Sequence, residues 1–267
     1  MGSSTPLSQP EILPPAAMPE ERRPRPMWRA APATHILVGI NCLVFLLMVA
    51  RGISIWSPTA SQLLQWGGNN AASVLQYGEW GRIVSAIFVH VGLIHLATNM
   101  WCLWNLGLLA EPLLGSMGLF AAYILTGAAG NLLSTLVNQI SGRVDTVGAG
   151  ASGAVFGLAG VLIVLLKSPL LPIPQIELRK LRRSVIYFAG LNFLIGAGSM
   201  ATVSLLHVSI DNMAHAGGFC CGLLFAAPLV PRLGSPRPRF LVRRRIAVVS
   251  VTALLVLFGF YLAQLPG

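Results

Sequence analysis

The sequence predicts an all-α polytopic membrane protein. Of its 267 residues, 55% are hydrophobic and only 10% are charged, and the mean hydropathy is +0.73. Seven apolar stretches come close to the length of about 20 residues that a helix needs to cross a hydrocarbon core. A chain of this composition buries its apolar surface largely in lipid.

The chain divides into four parts. Residues 1–33 hold eight of the 18 prolines and no apolar signal region, which predicts a disordered cytoplasmic tail. Residues 34–230 hold six predicted spans, residues 231–243 form a basic loop, and residues 244–267 hold a further C-terminal span. The predicted spans are 34–50, 88–110, 117–138, 150–166, 184–206, 211–230 and 244–264.

Positive charge predicts the orientation, because Lys and Arg accumulate in short cytoplasmic loops. With the N-terminus in the cytoplasm, only Arg51, Arg82 and Arg143 of the 18 basic residues lie outside. The net charge of +10 is therefore read as a topology signal with weak attraction to lipid headgroups, and no nucleic-acid partner is expected. The lack of an organellar presequence and the compact loops favour a bacterial plasma membrane.

The connection between the first two spans, residues 51–87, is too long for a tight turn and contains Trp56, Trp66 and Trp80. Because tryptophan prefers the bilayer interface, we expect a structured loop partly in the outer leaflet; a plain exposed loop is the alternative. The four cysteines lie in apolar spans without metal-ligand spacing, so we interpret them as small buried hydrophobes and expect no metal site.

Four polar side chains interrupt the apolar spans: His95 and Asn99 in the second, Ser152 at the start of the fourth, and His215 in the sixth. At 1.5 Å per residue, all four lie roughly 18 to 24 Å above the cytoplasmic ends of their helices. His95 and Asn99, four residues apart, share a helix face and could simply hold helices together. The common depth of all four instead favours one shared site.

Small residues predict how these helices meet. Gly153 and Gly157 on the fourth span, and Gly218 and Gly222 on the sixth, form small-residue faces that let helix backbones approach closely. Gly148 and Gly150 allow the chain to enter the membrane as non-helical backbone, which is tolerated where it lines a cavity.

This arrangement suggests acyl-transfer chemistry. Ser152 is the candidate nucleophile, His215 the general base, and His95, Asn99 and the Ser152 amide the candidate oxyanion donors. We interpret His90 as a structural or loop-anchoring residue off the His95 face. Asp211 could orient His215 as a triad member, although a helix N-terminal role is favoured.

These residues resemble the rhomboid family of intramembrane serine proteases. The resemblance covers residues 34–230 and rests on several motifs in order. They are Trp80-Gly81-Arg82, His95-x-x-x-Asn99, Glu111, Gly150-Ala151-Ser152-Gly153, and Ala214-His215-Ala216-Gly217-Gly218 leading to Gly222.

The resemblance implies a rhomboid-like six-helix bundle with one additional C-terminal helix, a Ser152–His215 dyad, and an oxyanion hole of His95, Asn99 and the Ser152 amide. It also implies substrates that are transmembrane proteins, and no cofactor. Gly81 separates a tryptophan and an arginine that the family usually has adjacent, and Phe156 replaces a tyrosine that packs on the histidine, so its ring is expected to stack there. A non-catalytic rhomboid-like binder of membrane proteins is one alternative function, and a transporter or channel is another.

Overall fold

The computed structural model describes residues 31–171, 173–206, 211–232 and 236–265, with the side chains of 195–206 and 231–232 left out. The predicted tail, residues 1–33, lies almost entirely outside these ranges. The regular structure of the described residues is helical apart from one pair of two-residue strands. The helices are α1 (Pro32–Ala50), α2 (Ala60–Gln65), α3 (Ala71–Leu75), α4 (Arg82–Ser85), α5 (Leu93–Leu114), α6 (Ser116–Ile140), α7 (Ser152–Leu165), α8 (Gln175–Leu206), α9 (Asn212–Ala226) and α10 (Arg237–Leu262).

Five of the described helices, α1, α5, α6, α9 with its 3₁₀ extension, and α10, are long and apolar enough to cross a membrane. The predicted all-α polytopic fold is confirmed. The fourth predicted span is the 14-residue helix α7, which begins at Ser152. Nearly all of α7 is buried between α6 and α9, so this short helix is the centre of the bundle.

Several boundaries differ from the sequence prediction. The second span begins at Leu93 instead of residue 88, because Gly92 adopts a φ of +116° that a helix does not allow. The fifth begins at Gln175 instead of 184, and the last begins at Arg237 instead of 244. The segment predicted as a basic loop, residues 231–243, is therefore helical from Arg237 onward.

The loop between α1 and α5 is structured, as predicted. It contains α2, α3, α4 and a 3₁₀ turn at Ala86–Phe88. Strand β1 (Asn69–Asn70) pairs antiparallel with β2 (Val147–Gly148), which lies just before α7. This pairing joins the loop between α1 and α5, which is the first outer loop of the predicted topology, to the segment that leads into Ser152.

Glu111, near the end of α5, ties the first helix to the bundle. Its carboxylate accepts hydrogen bonds from the Ala33 and Thr34 amides, at 2.9 and 2.8 Å, and from the Thr34 and Ser116 hydroxyls, both at 2.7 Å. The Glu111 side chain is buried, and these donors replace the water that it loses. Gly115 follows with a φ of +72°, so α5 turns into α6 without an intervening loop.

Candidate active site

Helices α7 and α9 are in direct backbone contact. A Cβ on Gly218 would overlap the carbonyl oxygen of Gly153, and a Cβ on Gly222 would overlap that of Gly157. The close approach predicted from these glycines is confirmed. It brings the first turn of α7, which carries Ser152, against the first turn of α9, which carries His215.

The ring of Phe156 connects the serine and the histidine. Phe156 lies one turn after Ser152, on the same face of α7. It stacks on the imidazole of His215 with ring centroids 4.2 Å apart and an angle of 14° between the planes. The stacking expected of Phe156 is therefore present. Among the described residues, no hydrogen bond joins Ser152 to His215.

Asp211 does not orient His215. Its carboxylate accepts a hydrogen bond from the Ala214 amide at 2.9 Å and another from the Ser134 hydroxyl, so it caps the N-terminus of α9. The Nδ1 atom of His215 is buried and has no hydrogen-bond partner within the described chain. The favoured helix N-terminal role of Asp211 is confirmed, and a serine–histidine–aspartate triad is not formed.

His95 and Asn99 lie on the neighbouring helix α5. Gly150, with a φ of +136°, makes room for the His95 ring, which a Cβ at that position would overlap. Asn99 is buried, and its side-chain amide donates to the His95 carbonyl at 2.8 Å. The His95 imidazole thus stands beside the backbone that leads into Ser152.

His90 also joins the site, which the sequence prediction missed. Its Nε2 atom accepts a hydrogen bond from the Ala151 amide at 3.4 Å, and its ring lies 5.4 Å from that of His95. The predicted helix from residue 88 put the two histidines on different faces, whereas the break at Gly92 folds His90 back toward His95. Burial, followed by the nearby His95, lowers the pKa of His90.

Phe193, on α8, is a second residue that sequence reasoning missed. Its ring meets Phe156 edge-on at 5.1 Å and lies 6.1 Å from His215. Phe193 is one of several phenylalanines and aliphatic residues in the fifth predicted span, so nothing in the sequence distinguished it. Phe156 and Phe193 thus place aromatic rings on two sides of the His215 imidazole.

Comparisons with known proteins show which family this chain resembles along its length. The rhomboid domain model matches residues 77–232. Rhomboid protease GluP of Bacillus subtilis (strain 168) is 30% identical over 234 residues, which cover 88% of this chain and 41% of that protein. RHOMBOID-like protein 5 of Arabidopsis thaliana is 32% identical, covering 63% of this chain and 50% of that protein.

Rhomboid-like protease 5 of Toxoplasma gondii is 31% identical over 173 residues, which cover 63% of this chain and 18% of that protein. The chain therefore spans half or less of the length of these curated relatives. Two of the three are named as proteases, and the apolar helices identify an integral membrane protein. By its domain match and its similarity along most of its length, the chain belongs to the rhomboid family.

Proposed function

We propose that this chain is an intramembrane serine endopeptidase that hydrolyses peptide bonds in or near the transmembrane segments of other membrane proteins. The observation that carries the proposal is the contact between α7 and α9, where Phe156 packs on His215 one turn below Ser152. A hydroxyl and an imidazole on adjoining helix ends are the groups that acyl transfer requires. Hydrogen bonds between such groups commonly tighten only when substrate binds.

In this mechanism, the Ser152 hydroxyl oxygen attacks the peptide carbonyl carbon while its proton passes to His215. His95, Asn99 and the Ser152 amide stabilise the resulting oxyanion. The C–N bond then breaks as His215 returns the proton to the leaving amine. Water, deprotonated by the same imidazole, attacks the acyl-enzyme ester, releases the new carboxyl terminus and restores the Ser152 hydroxyl.

Because Nδ1 of His215 has no hydrogen-bond partner among the described residues, we treat Ser152 and His215 as a dyad. Phe156 and Phe193 restrict the imidazole by packing, as a carboxylate would by hydrogen bonding. The family relationship to named proteases supports the same activity. The charge distribution supports a cytoplasmic N-terminus, with a site that opens toward the outer leaflet, and the compact loops favour a bacterial plasma membrane.

The test uses the purified full chain in proteoliposomes with a transmembrane substrate. Ser152→Ala and His215→Ala are expected to abolish cleavage, and His95→Ala or Asn99→Ala to lower kcat by about 10²-fold or more. The matched controls are Ser141→Ala, at an exposed position, and His35→Ala, in the first turn of α1. Both variants should cleave normally. Cleavage that persists in both dyad variants would disprove the proposal.

A further inference from the structure

The last helix, α10, presents a single buried stripe to the bundle. Ala247, Val251 and Leu262 are buried, while Leu255 and Phe258 are half-buried on the same face. The rest of the helix faces outward, as Leu257 and Phe260 show with 67% and 65% of their surface exposed. The helix thus meets the bundle along one line.

At its cytoplasmic end, α10 is fixed to the corner between α5 and α6. The Arg244 guanidinium donates a hydrogen bond to the Leu114 carbonyl at 3.0 Å and lies against Gly115 and Gly118, whose missing side chains make room for it. Arginine at a helix C-terminus satisfies a carbonyl that the helix itself leaves unpaired. This contact sets the height of α10 relative to the bundle.

At its outer end, α10 packs on the first outer loop. Leu262 belongs to one buried cluster with Val74 and Ile83 of the loop, together with Ala128 and Leu132 of α6. Trp80 and Phe258 pack against this cluster, and Gly259 lies against the Trp80 ring. The tryptophan of the Trp80-Gly81-Arg82 motif is therefore covered by α10.

The same loop segment reaches the backbone beside the nucleophile. The Ile83 carbonyl accepts from the Asn131 side chain at 2.9 Å, which fixes the segment to α6. Three residues later, the Ala86 carbonyl accepts from the Gly150 amide, also at 2.9 Å. Gly150 is two residues before Ser152 and is the position that accommodates the His95 ring.

We infer that α10 is a brace for the catalytic centre. Phe258 and Leu262 act as positioning residues that hold residues 80–86 against α6 and so keep Gly150 and Ser152 in register with His95. The effect of α10 on the cleavage rate rests on the proposed function. Its effect on the local stability of residues 80–86 rests on the packing alone. It gives the additional C-terminal helix a role without placing any group of it in the reaction.

The test compares two pairs of substitutions on the same helix. Phe258→Ala and Leu262→Ala remove the brace contacts, whereas Phe260→Ala and Leu257→Ala remove the same side chains from exposed positions. The brace variants are expected to lose between about tenfold and 10²-fold in kcat with KM unchanged, because small displacements of catalytic groups are costly. Phe258→Leu and Leu262→Met, which keep apolar contact, should retain most of the activity.

Amide hydrogen exchange gives a readout that needs no activity. Residues 80–90 should exchange faster in the brace variants than in the control pair or the unaltered chain. Equal exchange and equal kcat in the two pairs would overturn the brace. If the unaltered chain fails to cleave, the proposed function is wrong, and the exchange of residues 80–90 alone then decides the inference.

Discussion

At the scale of single residues, the imidazole of His215 is positioned by aromatic packing. Phe156 stacks on one face and Phe193 meets it edge-on, while Nδ1 makes no hydrogen bond in the described part of the chain. Asp211, the nearest carboxylate in sequence, is engaged at the start of α9. The ring contacts limit the rotation of the imidazole, which a hydrogen bond to a carboxylate would otherwise do.

His90 predicts a pH dependence of stability. Burial lowers its pKa from 6.5 to about 3, with His95 adding to the effect, so the folded protein keeps it neutral at pH 5. The unfolded chain binds a proton at that site below pH 6.5, which favours unfolding as the pH falls through this range. The free energy of unfolding then decreases by at most about 1.4 kcal/mol per pH unit from this residue.

The measurement is the melting temperature in detergent at pH 7.5 and pH 5. His90→Gln, which can still accept from the Ala151 amide, should lose less stability on acidification than the unaltered chain. His35→Gln, at the first turn of α1, should follow the unaltered chain. If the melting temperatures of all three proteins fall equally between pH 7.5 and pH 5, His90 is not the buried neutral group.

At the scale of helices, the sequence identified the apolar centres better than the ends. Helix α6, residues Ser116–Ile140, begins and ends within two residues of the prediction. Helix α8 starts nine residues early because the predicted span excluded the charges at residues 179–183, although Lys and Arg are good helix formers. A hydropathy pattern reports where lipid begins, and a helix can continue beyond that point.

The glycine contact between α7 and α9 was predictable because small residues four apart leave a distinct sequence pattern. Gly222→Ala would place a Cβ on the Gly157 carbonyl oxygen, a backbone atom that no rotamer change can move. The helices would separate, at a cost of about 1 to 3 kcal/mol. We expect a lower melting temperature together with loss of cleavage.

Gly190→Ala on α8 is the matched control, since no heavy atom lies within 4 Å of a Cβ placed there. Alanine is the better helix former by about 1 kcal/mol, so this variant should be at least as stable as the unaltered chain. If Gly222→Ala has the same melting temperature as Gly190→Ala, the α7–α9 contact is not closely packed.

At the scale of the whole molecule, one buried carboxylate fixes the first helix to the rest of the bundle. Glu111 accepts from two amides and a hydroxyl of residues 33 and 34. Glu111→Gln keeps the size, but its NH₂ group would face these donors in place of an acceptor oxygen. Each donor left unsatisfied costs about 1 to 3 kcal/mol.

The control for Glu111→Gln is Glu177→Gln, which removes an exposed ion pair with Lys180 that contributes at most about 1 kcal/mol. Thermal unfolding should show a clear loss for the first variant and almost none for the second. Equal melting temperatures would mean that α1 is held by its apolar contacts alone.

The contact between the last helix and the first outer loop could not be predicted from the sequence. Trp80 and Phe258 lie far apart in the chain, and each taken alone is an ordinary apolar residue of a membrane protein. The four candidate site residues stood out in the sequence for the opposite reason, since a polar side chain in lipid is costly enough to require a partner. Depth along each helix follows from residue counts, whereas neighbours around the bundle depend on packing.

The orientation of the bundle is a prediction from charge. With Arg51, Arg82 and Arg143 outside and the basic starts of α8 and α10 inside, Ser54 and Ser141 should face the exterior and Arg237 the cytoplasm. In a background with the four cysteines replaced by alanine, Ser54→Cys and Ser141→Cys should react with a membrane-impermeant maleimide on intact cells. Arg237→Cys, although exposed, should react only after the membrane is permeabilised. The reverse labelling pattern would show that the topology is inverted. The start of α7, with Ser152, would then lie in the cytoplasmic leaflet.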